Sequence, residues 1–251
     1  MTLLTKIGND NQLEQVGKAL DFIFKGLEVD VKILGTIADR WVQIALTGED
    51  EEIARNYVIK EAGLCPSNFG NVNRFSTLKG YIKNIRENPR ELYIDVGVYQ
   101  PKIVYAKVAL CHLQAKLVGG REIALRKIAD LFGFCEGLPI SVKVVGLDEE
   151  KSCIEAKLSS RQIRNYVSWR ESLLDRLLVL GVSLSEVKSV IERAQLKRDV
   201  IDVEPFGLLE YALICKLGTN AAGLVSKLSW RLKNARFSVF SAKLVNNFLK
   251  T

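Results

Sequence analysis

A single histidine, His112, serves all 251 residues of this chain. That leaves a zinc site short of ligands and gives histidine-based acid–base or nucleophilic chemistry only one place to sit. Cysteine is thin as well. Cys65, Cys111, Cys135, Cys153 and Cys215 are scattered singly, odd in number, with no C-x-x-C pair. Such a pattern reads as free thiols among apolar neighbours in a reducing compartment rather than disulfides or a metal cluster. No apolar run reaches the ~18–20 residues that span a bilayer. The start, MTLLTKIGNDNQ, lacks the charged-then-apolar layout of a signal peptide, so a cytoplasmic protein without membrane contact is expected. Phosphate-binding glycine motifs are missing too. GTNAAG (218–223) is the only glycine-framed turn into a helix, and it has neither the P-loop ending nor the dinucleotide G-x-G-x-x-G. Thr219 there reads as an ordinary N-cap, with a phosphate contact over Gly218–Gly223 as the minority alternative.

Acidic residues are absent after Glu210, while Lys216, Lys227, Arg231, Lys233, Arg236, Lys243 and Lys250 follow it. The net charge of +7 divides into −4 over residues 1–70 and +11 over the remainder. A basic body behind an acidic front points to a polyanionic partner, nucleic acid being the commonest. Carboxylate pairs such as Asp199/Asp202 and Glu149/Glu150 fall in turn or strand contexts ordinary for a surface. His112 continues the apolar phase of Val104, Ala106, Val108 and Leu110, and on a strand Cys111 would point the opposite way. No nucleophile, base and oxyanion donor assemble. The expectation is a protein that is not an enzyme and needs no cofactor or metal.

Periodicity divides the chain in three, at 1–70, 71–162 and 163–251. The first part reads β-α-β-β-α. TLLTKI is a strand, and Leu13, Val16, Leu20 and Phe24 recur at helical spacing. A hairpin turns at Ala38-Asp39, and a second helix carries Glu49–Glu52 in its first turn, where the dipole favours negative charge. CPSNFGNVN (65–73) has the composition of a linker. The third part opens with two helices, the first striped by Leu173, Leu174, Leu177 and Leu178, the second capped by Ser183 and Glu186. A hairpin follows, RDVIDVE then LLEYALICKLG, with a second strand apolar enough to be buried on both faces. A basic helix, the strand RFSVF and a short helix complete it. The fold class is α+β.

The middle part carries five strands, STLKGYIKNI, RELYIDVG, KIVYAKVALCHL, PISVKVVGL and SCIEAKLS, with the helix REIALRKIADLFGF between the third and fourth. That is the element order of a small barrel of the OB type. Phasing its strands sends Leu78, Ile82, Leu92, Ile94, Val96, Val104, Ala106 and Val108 inward. Tyr81, Tyr93 and Tyr105 then leave from the outer side, bordered by Lys79, Lys83 and Lys107. Aromatic rings for bases beside ammonium groups for phosphates compose a single-strand platform. In the C-terminal helix Leu224, Val225, Leu228 and Leu232 face inward, which leaves Lys227, Arg231 and Lys233 for phosphate contact, with no acid expected to compensate them.

SVKVVGLDEEKSCIEAKLS, with its hydrophobic–lysine alternation, acidic turn and final LS, resembles the closing strands of S1 RNA-binding domains. Tyr93-Ile94-Asp95-Val96 matches the second strand of that family, while the third strand departs from its pattern and the helical insertion is longer. Along most of the chain, ELYIDVGVYQP, WRESLLDRLLVLG and RDVIDVEPFGLLEYALICKLGTNAAGLVSKL resemble an archaeal family of conserved proteins of unknown function. The two resemblances imply a part in archaeal information processing, transcription or translation, through RNA, single strands favoured. The competing expectation is a protein-interaction adaptor of the transcription or translation machinery, whose barrel face docks a protein such as a ribosomal or transcription component.

Overall fold

The structure, a computed structural model, describes residues 1–148, 150 and 152–250. Strand β1 (Thr2–Lys6) and helix α1 (Asn11–Ile23) lead into the hairpin of β2 (Val29–Ile37) and β3 (Trp41–Gly48), and α2 (Glu51–Glu61) closes the segment. The order β1-β3-β2 is antiparallel throughout. The helical stripe Val16 and Leu20 is buried against Leu3, Val42, Ile44 and the α2 residues Ala54 and Val58, as the spacing predicts. Glu51 and Glu52 occupy the first turn of α2, behind an Asp50 N-cap.

After the two-residue β4 (Ser67–Asn68) come β5 (Thr77–Lys83), β6 (Glu91–Gln100) and β7 (Val104–Ala109), then α3 (Leu110–Leu117) and α4 (Leu125–Phe132), then β8 (Pro139–Asp148) and β9 (Cys153–Leu158). β5, β6 and β7 form an antiparallel meander, β8 pairs with both β5 and β9, and β9 meets β7 in parallel. The five strands thereby close into a barrel, with β4 attached to the edge of β6. Its interior is Ile82, Leu92, Ile94, Val96, Val104, Ala106, Val108, Ile140, Val142, Val144, Ile154, Ala156 and Leu158, all buried. Strand alternation therefore assigns inside and outside correctly. Of the acidic turn, Glu149 and Lys151 lie outside the described residues.

One strand ends earlier than its alternation suggests. The chain leaves β7 at Ala109 and enters α3, so Cys111 and His112 sit on a helix and not on a strand. Leu110, Leu113 and Leu117, spaced three and four apart, decide it: the latter two are buried only as one face of a helix. His112 is packed nonetheless. Its Nε2 accepts the Leu158 N–H at 3.2 Å, and burial, helped by Lys116 and Lys157, keeps its pKa below the usual imidazole value.

The last segment runs α5 (Ser160–Glu171), β10 (Arg176–Leu180), α6 (Leu184–Arg193), β11 (Val200–Pro205), β12 (Glu210–Cys215), α7 (Ala221–Ser229), β13 (Arg236–Phe240) and α8 (Ala242–Lys250). The expected pair of leading helices is interrupted: α5 opens the segment, β10 follows it before α6, and the Leu173–Leu178 stripe belongs to neither helix. Leu177 and Leu178 lie on β10, which pairs with β12 on one side and β13 on the other in the sheet β11-β12-β10-β13. A strand covered on both faces shows a continuous apolar run, which short-range periodicity cannot separate from a buried helix. Leu177 and Val179 join the core under α6 and α7, while Leu178 and Leu180 join the barrel core through Phe132, Tyr166, Trp169 and Phe240. Ser183 is the N-cap residue of α6 but makes no capping hydrogen bond; its hydroxyl meets Ser185 Oγ at 3.1 Å instead. Asn220, not Thr219, caps α7, accepting the Ala222 N–H at 2.9 Å.

Candidate nucleic-acid interface

The register of β5, β6 and β7 sets the outer wall of the barrel as a grid. One row is Lys83, Tyr93 and Lys107; the next is Tyr81, Asp95 and Tyr105. Tyr93 and Tyr105 are diagonal neighbours, 6.5 Å apart between centroids and 75° from parallel, both half-buried. Lys107 Nζ stands 5.8 Å from the Tyr93 ring centre. The Tyr93 hydroxyl donates to Glu91 Oε2 at 3.0 Å and accepts from Asn88 Nδ2 at 3.1 Å, which fixes the ring. Burial raises the Tyr105 pKa, with Asp95 adding to it, so that phenol stays neutral. These three side chains form the part of the expected platform that the structure brings together.

The β5 side chains are placed otherwise. Tyr81 does point outward from the barrel, yet only 2% of it is exposed, because the first and third segments close over it. Its ring meets Trp41 edge-on at 5.6 Å, and its hydroxyl donates to Leu4 O at 3.3 Å or Glu210 Oε1 at 3.4 Å. Tyr81 is therefore a wedge between segments and cannot stack a base. Lys83 is engaged as well, 2.9 Å from Asp39 and 3.5 Å from Glu136. Burial opposes its charge, but those two carboxylates outweigh the cost and its pKa is raised. Lys79 is half-buried beneath α5 and does not border Tyr93.

An alternating ion-pair chain, not foreseen from the sequence, links the first segment to the barrel. Asp95, 1% exposed, receives Lys6 Nζ at 2.6 Å; the same ammonium meets Asp39 at 2.8 Å, and Asp39 meets Lys83. Lys6 also lies 5.0 Å from the Trp41 ring centre. The chain borders a crevice of about 300 Å³ where all three segments meet, along with Glu210 and Arg236. Glu210 is buried, and its carboxyl is pushed up to about 7 by desolvation, against the weaker pull of Lys79 and hydrogen bonds from Leu209 N–H and Tyr81. Gln12 of α1 ties the far side, donating to Gly181 O at 3.0 Å and Asn234 O at 3.3 Å. Gly181 holds a φ of 86°, which favours glycine, and a Cβ there would displace the Gln12 amide from these two carbonyls.

The C-terminal cations are partly compensated. Lys227 stands on α7, 3.6 Å from Asp199, so an acid does pair with it. Arg231 and Lys233 follow the helix end instead of riding on it. Arg231 stacks 3.6 Å from the centre of Trp230, a ring 60% exposed, and Lys233 is exposed. Leu224, Leu228 and Leu232 are buried as the stripe predicts. Among the described residues, no group of three metal-ligating side chains occurs and no helix is long and apolar enough to cross a membrane.

The fold defines an α+β protein built around an OB-like five-stranded barrel, with an outer wall bearing a tyrosine pair. More particularly, the chain belongs to the DUF2110 family: the DUF2110 N-terminal domain matches residues 1–68, the central domain 72–170 and the C-terminal domain 174–240. No curated protein matches it in sequence. Among solved structures it is similar to a chain of the a/eIF2alpha–aDim2p–rRNA complex from Pyrococcus horikoshii OT3, at 13% identity over 52% of this chain and 70% of that one, with a TM-score of 0.27. It is also similar to the intact alpha subunit of aIF2 from Pyrococcus abyssi, at 10% identity over 67% of this chain and 96% of that one, TM-score 0.26. Scores this low carry no argument, and the barrel rests on its own strand pairing.

Proposed function

We propose that the protein binds single-stranded nucleic acid, RNA in the first place, as a binding module and not as an enzyme. The observation that carries this reading is the Tyr93–Tyr105 pair with Lys107 against it, on the second and third strands of a closed OB-like barrel. In OB folds that is the wall which takes oligonucleotides. Stacking on an aromatic ring contributes about 1–3 kcal/mol per base whatever the base, and a neighbouring ammonium holds the phosphate. The basic character of residues 71–251 supplies long-range attraction for a polyanion. Arg231, Lys233 and the exposed Trp230 extend the same chemistry to the third segment, whereas Tyr81 and Lys83 have no part in it.

The test is fluorescence anisotropy with a labelled pyrimidine-rich RNA. Tyr93→Ala is expected to weaken binding roughly 5- to 150-fold, the equivalent of one lost stacking contact. Tyr105→Ala should fall in the same range. Unchanged affinity in the double variant would remove the reading.

A further inference from the structure

Continuing round the barrel from the tyrosines, the wall made by β9, β8 and β5 has a different character. Lys157 is paired directly opposite Lys143, and Lys143 opposite Thr77; in the next row Ser141 lies opposite Lys79. Their neighbours along the strands, Val142, Val144, Ala156 and Leu158, fill the barrel, so these lysines face outward. Like charges directly opposed across a sheet destabilise it. Acids elsewhere neutralise Lys6, Lys18, Lys83, Lys197 and Lys227. Among the described residues, no ion pair or side-chain hydrogen bond engages Lys79, Lys143, Lys157 or Arg161.

The row with Lys79 borders a groove of about 540 Å³ under α5, where Arg161 of the helix and Lys79 of the barrel share one cavity with Thr77, Ser141, Gln162 and Asn165. Burial disfavours the charge on Lys79, and Arg161 adds to that; the attraction of buried Glu210 behind it does not cancel the effect. Glu61 and Glu204 also line the groove but are exposed, as is Glu155 near Lys157, so water solvates them. At the far end of the wall Phe75 holds a positive φ of 68°, a conformation bulky residues rarely adopt, with its ring 61% exposed. Its N–H donates to Val144 O at 3.0 Å, and the Arg74 guanidinium lies 5.0 Å from its ring centre.

We propose that this wall is a second nucleic-acid contact, a track in which Lys157, Lys143, Lys79 and Arg161 hold successive backbone phosphates of the strand and Phe75 stacks a base. The track rests on the nucleic-acid reading and extends it from the tyrosine wall to the neighbouring wall. Phosphates would supply the anions that the opposed lysines lack.

Salt dependence separates the two walls. For single-stranded nucleic acid the slope of log affinity against log salt is about 0.7 per phosphate neutralised. The variant Lys143→Gln/Lys157→Gln should reduce that slope by roughly 1.4 and weaken binding roughly 25-fold near 0.1 M salt. Arg161→Gln, on an exposed helix surface, should reduce it by about 0.7. Thermal unfolding checks the fold of each variant, and relief of like-charge opposition should leave the melting temperature of the lysine variant equal to wild type or higher. Tyr93→Ala/Tyr105→Ala should lose affinity with its slope intact. If wild type binds RNA while the lysine and arginine variants keep its slope, the track is wrong and the tyrosine wall stands. If wild type does not bind, both readings fall.

Discussion

Replacing Lys6 by methionine is expected to destabilise the protein by about 3–5 kcal/mol, because it leaves the buried Asp95 carboxyl without its cation. Lys6 is only 12% exposed and Asp95 1%, so water cannot take over the role. What remains for the carboxylate is the Gly97 N–H, 3.1 Å from Oδ1. At about 2–4 °C per kcal/mol for a chain of this size, the melting temperature should fall by roughly 6–20 °C. Lys6→Met/Asp95→Asn should recover much of that loss, since the orphaned carboxyl is then gone. The cycle of single and double variants, measured by thermal and denaturant unfolding, isolates the pair. Equal losses in the single and double variants would show that Lys6 acts through Trp41 and Asp39 instead.

Glu210 gives the second large effect, and it depends on pH. Its carboxyl titrates near 7 in the folded chain, above the ordinary glutamate value, because burial disfavours the charged form. The folded state therefore holds a proton that the unfolded state has released, and stability falls as pH rises from about 4.5 through 7. A shift of this size corresponds to a loss of order 3 kcal/mol by pH 8. Glu210→Gln should be less sensitive to alkali than wild type by that amount, while matching it closely at pH 4.5. Gln can accept from the Leu209 N–H and donate to Tyr81 Oη, whose proton then goes to Leu4 O. Parallel stability–pH curves for the two proteins would show that Glu210 enters the folded state already ionised.

Strand alternation made the barrel and its orientation legible. Ile82, Leu92, Ile94 and Val104 are inside, and Tyr81, Tyr93 and Tyr105 leave from the other side, as period two requires. Alternation says which side of a strand a residue takes, but not what a distant segment lays over that side. That is why Tyr93 and Tyr105 remain at the surface while Tyr81 lies under Trp41 and Leu4. The ion-pair chain was illegible for a related reason: Lys6, Asp39, Asp95 and Glu136 come from four separate stretches, and no local spacing links them. At β10 the signal was present but ambiguous, since RLLVL satisfies a buried helix and a central strand equally well. In α3 the signal is local: Leu110, Leu113 and Leu117 carry the helical period that ends the strand.

β10 sends Leu177 and Val179 to one core and Leu178 and Leu180 to the other. Neither core can loosen without disturbing the same five residues, so the barrel and the C-terminal sheet are expected to unfold as one cooperative unit. A fragment cut to residues 71–162 would lose Tyr166 and Phe240 from around Phe132, together with the Trp169 ring that packs on both, and would expose Phe132 to water. Heating the intact chain should accordingly give one transition across both regions, and the excised barrel should aggregate.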